Sequence, residues 1–455
     1  MNIESTVKNI FLKIATKLGL ELQEKTEIQI NYSEKGLNPT AIGAAVVANI
    51  AIDDSDLIID GKNARADALR DIAEYYTDEI QFPAAEVSLG TGDCIVRPFT
   101  DGKYIGLNVI GNDNFVITES VGSHLKGVIM KLDEYKKDNK VYRLFESQTL
   151  KEMDQNKIVY IRRFAYKNDD EVDLTQTSWA KMQSAEAITA DQLLIGRYKC
   201  PTINRENYNS TNGVPITFGC EGIIDKIKTK YEQYNEEFDQ KQALIFADRT
   251  LFKADNDGDK TGGIKKNGTL KLKLGGKTFV KIKGDLNKGI SDMIQDYSPA
   301  IRETEFQAAN NFNLSMLELC CGFSRGVFTS PETAFATATE MKNSLKKTFS
   351  FVKRFRKRIQ SGDKMLFHAI NIIMNINSVT PIGNYELRHD WSYDYVEQTT
   401  ERFNQLLQGH SAGVVKDETL AAWLNGITEE EAKKYIAELK AAASDDIGPD
   451  EDELL

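Results

Sequence analysis

A chain of 455 residues with a formal net charge of -11 and a pI near 5.2 can build two or three compact units. It lacks the excess of lysine and arginine needed to coat nucleic acid, so any nucleic-acid contact must be local. Cys94, Cys200, Cys220, Cys320 and Cys321 are odd in number and without metal-ligand spacing, no stretch approaches the roughly 20 apolar residues of a membrane span, and the opening residues hold no apolar run of signal-peptide length; a reducing cytoplasm is the expected setting.

In chain order, Ile3, Val7, Ile10, Phe11, Ile14 and Leu18 recur at helical spacing, which predicts an amphipathic helix over residues 3 to 18. A second helix is expected from Asn63 to Ile80. Cys94 to Phe99, an Asp101-Gly102 turn and Tyr104 to Ile110 then carry the signature of a hairpin with a two-residue loop. Further β runs at Leu125 to Leu132, Val141 to Thr149 and Ile158 to Tyr166 make residues 85 to 170 a β-rich antiparallel unit set among helices. Pro201, Asn204, Asn207, Asn209, Asn212, Gly213 and Pro215 mark a long polar loop. From Gly222 to Phe246 a helix is expected, with Ile223, Ile227, Tyr231, Tyr234 and Phe238 on one stripe.

An acidic, glycine-rich turn follows at Asp255 to Gly263, and then a small hairpin. With Gly275-Gly276-Lys277 as its loop, Leu270, Leu272 and Leu274 would pair with Thr278, Val280 and Ile282, and a slip of one residue would mix the faces. So small a hairpin must pack against something, such as a neighbouring copy. The next helix is expected from Ser298 to Cys321, capped by Gly322. Ser330-Pro331-Glu332 has the capping chemistry of another helix start, with Phe335, Ala338, Met341, Leu345, Phe349, Val352 and Ile359 as its stripe and a kink or break at Ser361-Gly362-Asp363. A strand from Tyr385 to Trp391 and helices at Val396 to Gln408 and Thr428 to Ala442 precede an acidic tail expected to be disordered.

The segment from Ser298 to Ile359 is the most informative. Between its two helices lies Gly322-Phe323-Ser324-Arg325-Gly326-Val327-Phe328-Thr329, and the second helix carries Lys342, Lys346, Lys347, Lys353, Arg354, Arg356, Lys357 and Arg358. A small polar loop of this kind can follow a moving phosphate backbone without trapping it; the plain alternatives are an ordinary helix connection and a solvated basic face. Asp255, Asp257 and Asp259 do not make a calcium loop, because the twelfth position holds Lys266 and Gly258 is misplaced. Gly276-Lys277-Thr278 lacks the upstream glycine of a phosphate-binding loop, since Lys271 stands there. His124, His368, His389 and His410 sit in unrelated contexts, so neither a catalytic nor a metal constellation emerges and no cofactor is implied.

The collinear order of these parts resembles the portal proteins of long-tailed (siphovirus-type) bacteriophages and related prophages. The residues that carry the resemblance are Pro201 to Pro215 leading into Ile223-Ile224-Asp225, Gly322-Phe323-Ser324 followed by Thr337-Ala338-Thr339-Glu340-Met341-Lys342, Asp390-Trp391-Ser392-Tyr393-Asp394, and Val415 to Leu439. What the resemblance implies is an α+β portal fold assembled as a ring, usually a dodecamer. It further implies a wing of residues 1 to 221 and about 333 to 395, stem helices at 222 to 246 and 298 to 321, and a small α/β clip at 247 to 297. Residues 322 to 332 would be a tunnel loop and 396 to 455 the helical crown and tail. Ser324, Arg325, Gly326, Thr329, Ser330, Lys342 and Lys346 would then face double-stranded DNA in the channel. Lys265, Lys266, Lys271, Lys273, Lys281 and Lys283 of the clip would meet the terminase packaging motor or the head-tail adaptor. Major capsid and scaffolding proteins are the other implied partners, at a capsid vertex of the virion. The alternative is a minor capsid or head-tail connector protein without a DNA-gripping loop; an enzyme has no positive signal.

Overall fold

The computed structural model describes residues 3–23, 36–53, 55–100, 102, 104–122, 124–153, 156–240, 244–248, 265–266, 269–274, 277–282, 294–297, 302–329, 338–391, 406–425 and 432–437. They divide into two units, one of Met1–Asp53, Leu57–Ala334 and Ser344–His389, the other of Asp54–Asp56, Phe335–Asn343 and Asp390–Leu455. The class is α+β, as expected.

Helix α1 (Ile3–Leu18) has the predicted bounds and lays Ile10, Phe11 and Ile14 on Val116, Ile129, Phe145 and Tyr166 of a sheet. Helix α2 (Pro39–Ile52) was not anticipated, because its small and apolar residues form no one-sided stripe. Its start is nevertheless a recognisable cap: the Asn38 side chain accepts from the Ala41 amide, with Pro39 opening the helix. The predicted second helix is α3 (Ala64–Tyr75), and it does not stop at Ile80. A π-helical turn, Tyr76–Ile80, leads directly into α4 (Gln81–Thr91), which ends at Gly92 in the left-handed conformation with φ +95°. The π-turn lies just before Pro83, where a regular helix would lose an N–H and meet the ring. The β-rich unit therefore begins at residue 93, not 85.

Strands β2 (Asp93–Thr100) and β3 (Ile105–Gly111) form the expected hairpin, but Thr100 pairs with Ile105, so residues 101–104 connect them in place of a two-residue loop. A second sheet runs β4 (Phe115–Val121), β5 (His124–Lys137), β6 (Lys140–Met153), β7 (Asn156–Lys167) and β8 (Asp170–Val172), with β9 (Ala185–Thr189) also on β7. On the first sheet β10 (Gly196–Lys199) adds antiparallel to β2. One buried carboxylate ties the sheets together. Glu146 of β6 accepts from Arg97 of β2 at 2.7 and 2.6 Å and from Arg163 of β7 at 2.9 Å, and is fully buried. The polar stretch after β10 is a loop as expected, yet Val214, Ile216, Phe218 and Cys220 are buried, so it is part of the core.

Helix α5 (Glu221–Gln240) stops before Phe246, which belongs to strand β11 (Leu244–Asp248). The stretch that follows is a sheet in the order β12 (Lys265–Lys266), β13 (Thr269–Leu274), β14 (Lys277–Ile282), β11 and β15 (Ile294–Tyr297). Its hairpin has a different register from the one expected: Leu272 pairs with Phe279 and Leu274 with Lys277, so only Gly275 and Gly276 connect the strands. The leucines are therefore opposite Lys277 and Phe279, and it is Lys271 and Lys273 that pair with Val280 and Thr278. Nor does the hairpin need a second copy to complete its pairing, because β11 of the same chain runs parallel to β14. Residues 255 to 263 lie outside the described residues.

Helix α6 (Glu303–Cys321) starts later than Ser298 and ends at Gly322 as expected. The capping signature at Ser330 lies outside the described residues, and α7 (Ala338–Ile376) runs for 39 residues straight through Ser361-Gly362-Asp363. The expected break is absent, and the glycine serves close approach. A Cβ on Gly362 would stand 2.6 Å from the Tyr198 ring and 2.7 Å from the Arg197 carbonyl, and one on Gly196 would stand 2.7 Å from Leu366 Cβ. Here α7 crosses β10, glycine against glycine. Next to it the buried Asp363 carboxylate accepts from the Tyr76 and Tyr198 hydroxyls at 2.5 and 2.7 Å, and His389 Nε2 lies 2.7 Å from its second oxygen. Burial raises both tyrosines well above their ordinary range, and the neighbouring Asp363 adds to the shift. Gly362→Ala should cost about 1–3 kcal/mol by overpacking, whereas exposed Ser361→Ala should stay within about 0.5 kcal/mol. Thermal melts of the pair check this; equal melting points would refute the packing role.

Strand β16 (Glu386–Trp391) pairs with β1 (Ser55–Asp60), which was not anticipated. Of the expected helix at Val396 to Gln408, the residues before 406 lie outside the described ones. The second unit holds α8 (Asp417–Asn425), which the sequence pattern did not reveal, and a helical segment over 432–437 within the expected Thr428 to Ala442 helix.

Candidate functional site

Helices α5 and α6 form an antiparallel pair. Ile224 and Ile227 pack with Leu317 at one end, the Tyr234 and Phe306 rings meet at 5.7 Å, and Glu237 pairs with Arg302 at the other end. That pairing holds the Glu237 carboxyl below its usual range. In the single chain, large apolar side chains of this pair face outward: Tyr231, Phe238, Phe312 and Leu319 are 45, 54, 65 and 58% exposed.

At the end of α6 the chain reverses in a Schellman motif. The Phe323 amide donates to the Glu318 carbonyl at 2.8 Å and the Gly322 amide to Leu319, with Gly322 at φ +76°. The side chain of the same Glu318 then organises the whole loop. Its Oε1 accepts from the backbone amides of Gly326, Val327, Phe328 and Thr329 at 3.0, 3.0, 2.8 and 2.9 Å, and from the Thr329 hydroxyl at 3.0 Å. Four successive N–H groups aimed at one oxygen form a nest, the concave anion cradle of backbone amides. Glu318 is 1% exposed, so this chain supplies its own anion. Such bonds are charge-assisted and about twice as strong as neutral ones.

The loop is also pinned to α7. Ser324 and Thr348 exchange bonds at 2.9 and 3.4 Å, and the Phe323 ring sits 5.1 Å from Phe351 and 6.3 Å from Phe328. Gly43 of α2 leaves room for Phe328, whose ring would lie 2.5 Å from a Cβ there.

These contacts sort the residues expected to face DNA. Ser324 is 5% exposed and bonded to Thr348, so its hydroxyl is not a DNA contact in this conformation, and the Thr329 hydroxyl is held by Glu318. Arg325 and Lys346 are exposed and Gly326 is half-buried. Ser330 and the Lys342 side chain lie outside the described residues. Of the basic run, Lys347, Lys353, Arg354, Lys357 and Arg358 are exposed, but Arg356 is buried and donates to the Ala51 and Ile50 carbonyls at 2.9 and 3.3 Å, capping the end of α2. Lys265 and Lys266 form β12, Lys271 and Lys273 lie in β13 and Lys281 in β14, whereas Lys283 is outside the described residues.

Sequence reasoning missed Glu318, whose signal was an acid four positions before a capping glycine and a glycine-containing loop. It also missed that Cys220 and Cys321 come within 3.8 Å between the starts and ends of the paired helices. The shared S–H bond pushes the Cys321 thiol up and draws Cys220 down.

No helix among the described residues is long and apolar enough to cross a membrane, and none of their acidic, histidine or cysteine side chains form a metal-holding group. A comparison with curated proteins finds no match. The family model described as phage portal protein, SPP1 Gp6-like, matches residues 110–445, a span that takes in the strands from β4 onward, the helix pair, the pinned loop and α7. The chain belongs to the phage portal protein family, a structural component of the virion that serves at a capsid vertex.

Proposed function

We propose that this portal protein works as a ring of about twelve copies whose axial channel carries double-stranded DNA during packaging and ejection. Helices α5 and α6 are the stem, the sheet from Leu244 to Tyr297 is the clip, and residues 322 to 332 are the tunnel loop. Residues 1 to 221 with about 333 to 395 form the wing, and 396 to 455 the crown and tail. Arg325 and Lys346, joined by Lys342, meet phosphate as isolated basic rings. The acidic total suits this, since a uniformly basic wall would hold DNA by counterion release. The terminase motor and later the head-tail adaptor dock on the clip, through lysines among Lys265, Lys266, Lys271, Lys273, Lys281 and Lys283; capsid and scaffolding proteins surround the wing.

The observation that carries the reading is the helix pair ending in a pinned loop, with Phe238, Phe312 and Leu319 turned outward. Apolar side chains spaced along both helices call for a cover, and a second copy of the stem supplies it. Negative-stain images of the purified protein should show rings with an axial hole, and Phe312→Glu should shift the population toward single subunits. Wild-type particles that stay monomeric, or assemblies without a hole, would favour a minor capsid or connector protein.

A further inference from the structure

Outside the stem and loop, an open polar cavity of about 520 Å³ lies beside the crossing of α7 and β10. Arg197 and Lys199 come from the same face of β10, two residues apart, and α7 contributes Arg358 and Ser361 one turn away. The Thr211 carbonyl accepts from both Arg197 and Lys199 at 2.7 Å, so two cations converge on one oxygen. Asp93 is the nearby acid, and its oxygens are taken by Arg197 and the Gly213 amide. Among the described residues Arg358 has no acidic partner. Three cations thus stand against one carboxylate that is already engaged.

The crowding has a measurable trace. The Lys199 ammonium lies below its usual range, first because it is partly buried and then because Arg197 and Arg358 repel it, with Asp93 offsetting only part. Ser210 also lines the cavity, and its hydroxyl is shielded from solvent with no hydrogen-bond partner among the described residues. Ser120, Thr211 and Gln23 bond to one another at 2.9 to 3.1 Å and hold the rim in place. A preorganised wall, an excess of positive charge and an unused donor have one common complement, an oxyanion.

We propose that this cavity is a binding site for a phosphate-type oxyanion, contacted by Lys199, Arg358 and the Ser210 hydroxyl. Arg197 positions the site through Asp93 and Thr211. The anion is either a free phosphate or phosphomonoester or a phosphate of the DNA backbone; both present the same oxygens to the same donors. The site is separate from the loop residues assigned to the channel and does not depend on that assignment.

Full-length protein titrated calorimetrically with potassium phosphate, at ionic strength held constant with chloride, should bind saturably. Arg358→Gln, an exposed position where folding is not at risk, and Lys199→Met should each weaken that binding about tenfold or more, the loss of one charge-assisted contact. Competition by a short DNA duplex would identify the backbone as the source, and phosphate binding untouched by duplex would identify a small phosphate; both support the site. Absence of saturation, or unchanged affinity in Arg358→Gln, would overturn it. So would an Arg358→Gln protein that loses ring assembly while the wild type ignores phosphate, because the cavity would then hold a neighbouring carboxylate.

Discussion

Glu318→Ala is expected to speed hydrogen exchange at the Gly326 to Thr329 amides about 100-fold, the equivalent of ~3 kcal/mol of local stability. The substitution removes the single oxygen on which those four amides and the Thr329 hydroxyl converge. Removing one partner of a buried polar set costs more than the bonds themselves contributed, because the remaining donors are left shielded from water. Glu318→Gln keeps an acceptor but loses the charge, so its effect should be intermediate. The α5–α6 contacts are untouched, and rings should still form. If the docked loop is the form that handles DNA, packaging and retention fall together with amide protection, and Arg325→Ala lowers them without loosening the loop. Normal packaging by a Glu318→Ala portal whose amides exchange freely would show that the docked conformation is dispensable.

Glu146→Gln should cost about 3–5 kcal/mol, since it leaves Arg97 and Arg163 buried without their shared counter-charge. Burial alone would raise the Glu146 carboxyl; Arg97 first, and then Arg163, hold it below the ordinary glutamate value of 4.5. A depressed folded-state pKa gives stability that is fully present above 4.5 and is lost as pH falls through the folded value. The difference between wild type and variant, read from denaturant melts, should therefore be constant near neutrality and shrink below about pH 4.5. A gap that persists unchanged into that acid range would mean that packing, not charge, sets the cost.

What the sequence disclosed follows from which forces are local. The stripe of Ile10, Phe11 and Ile14 and the capping Gly322 are written in neighbouring residues, and both are where they were expected. The family order was legible for the same reason, as successive elements with the right turns between them. Misreadings arose where a distant surface decides. Gly362 looked like a helix breaker because only Tyr198, more than a hundred positions earlier, explains it. Arg356 looked like part of a basic face until the end of α2 was beside it. The one-residue difference in the β13–β14 register arises because Lys277 pairs with Leu274 and so belongs to the strand. Glu318 was missed because its partners are backbone amides, which every residue possesses, and the acid before the capping glycine was its only trace.

The unbroken course of α7 has a mechanical meaning. Between Thr348, which grips the loop, and Met374 in the core with Val96 and Tyr198, the helix spans roughly 40 Å. Along that span it meets the Phe323 ring, the carbonyl end of α2, the β10 crossing and the Asp363 cluster in turn. A helix clamped at so many points behaves as a loaded shaft, and a shaft does not absorb a push by bending in the middle. Under the proposed function, force on the loop from a passing duplex would be shared among these clamps along the helix, so no single contact, the loop included, sets the load at which the subunit yields.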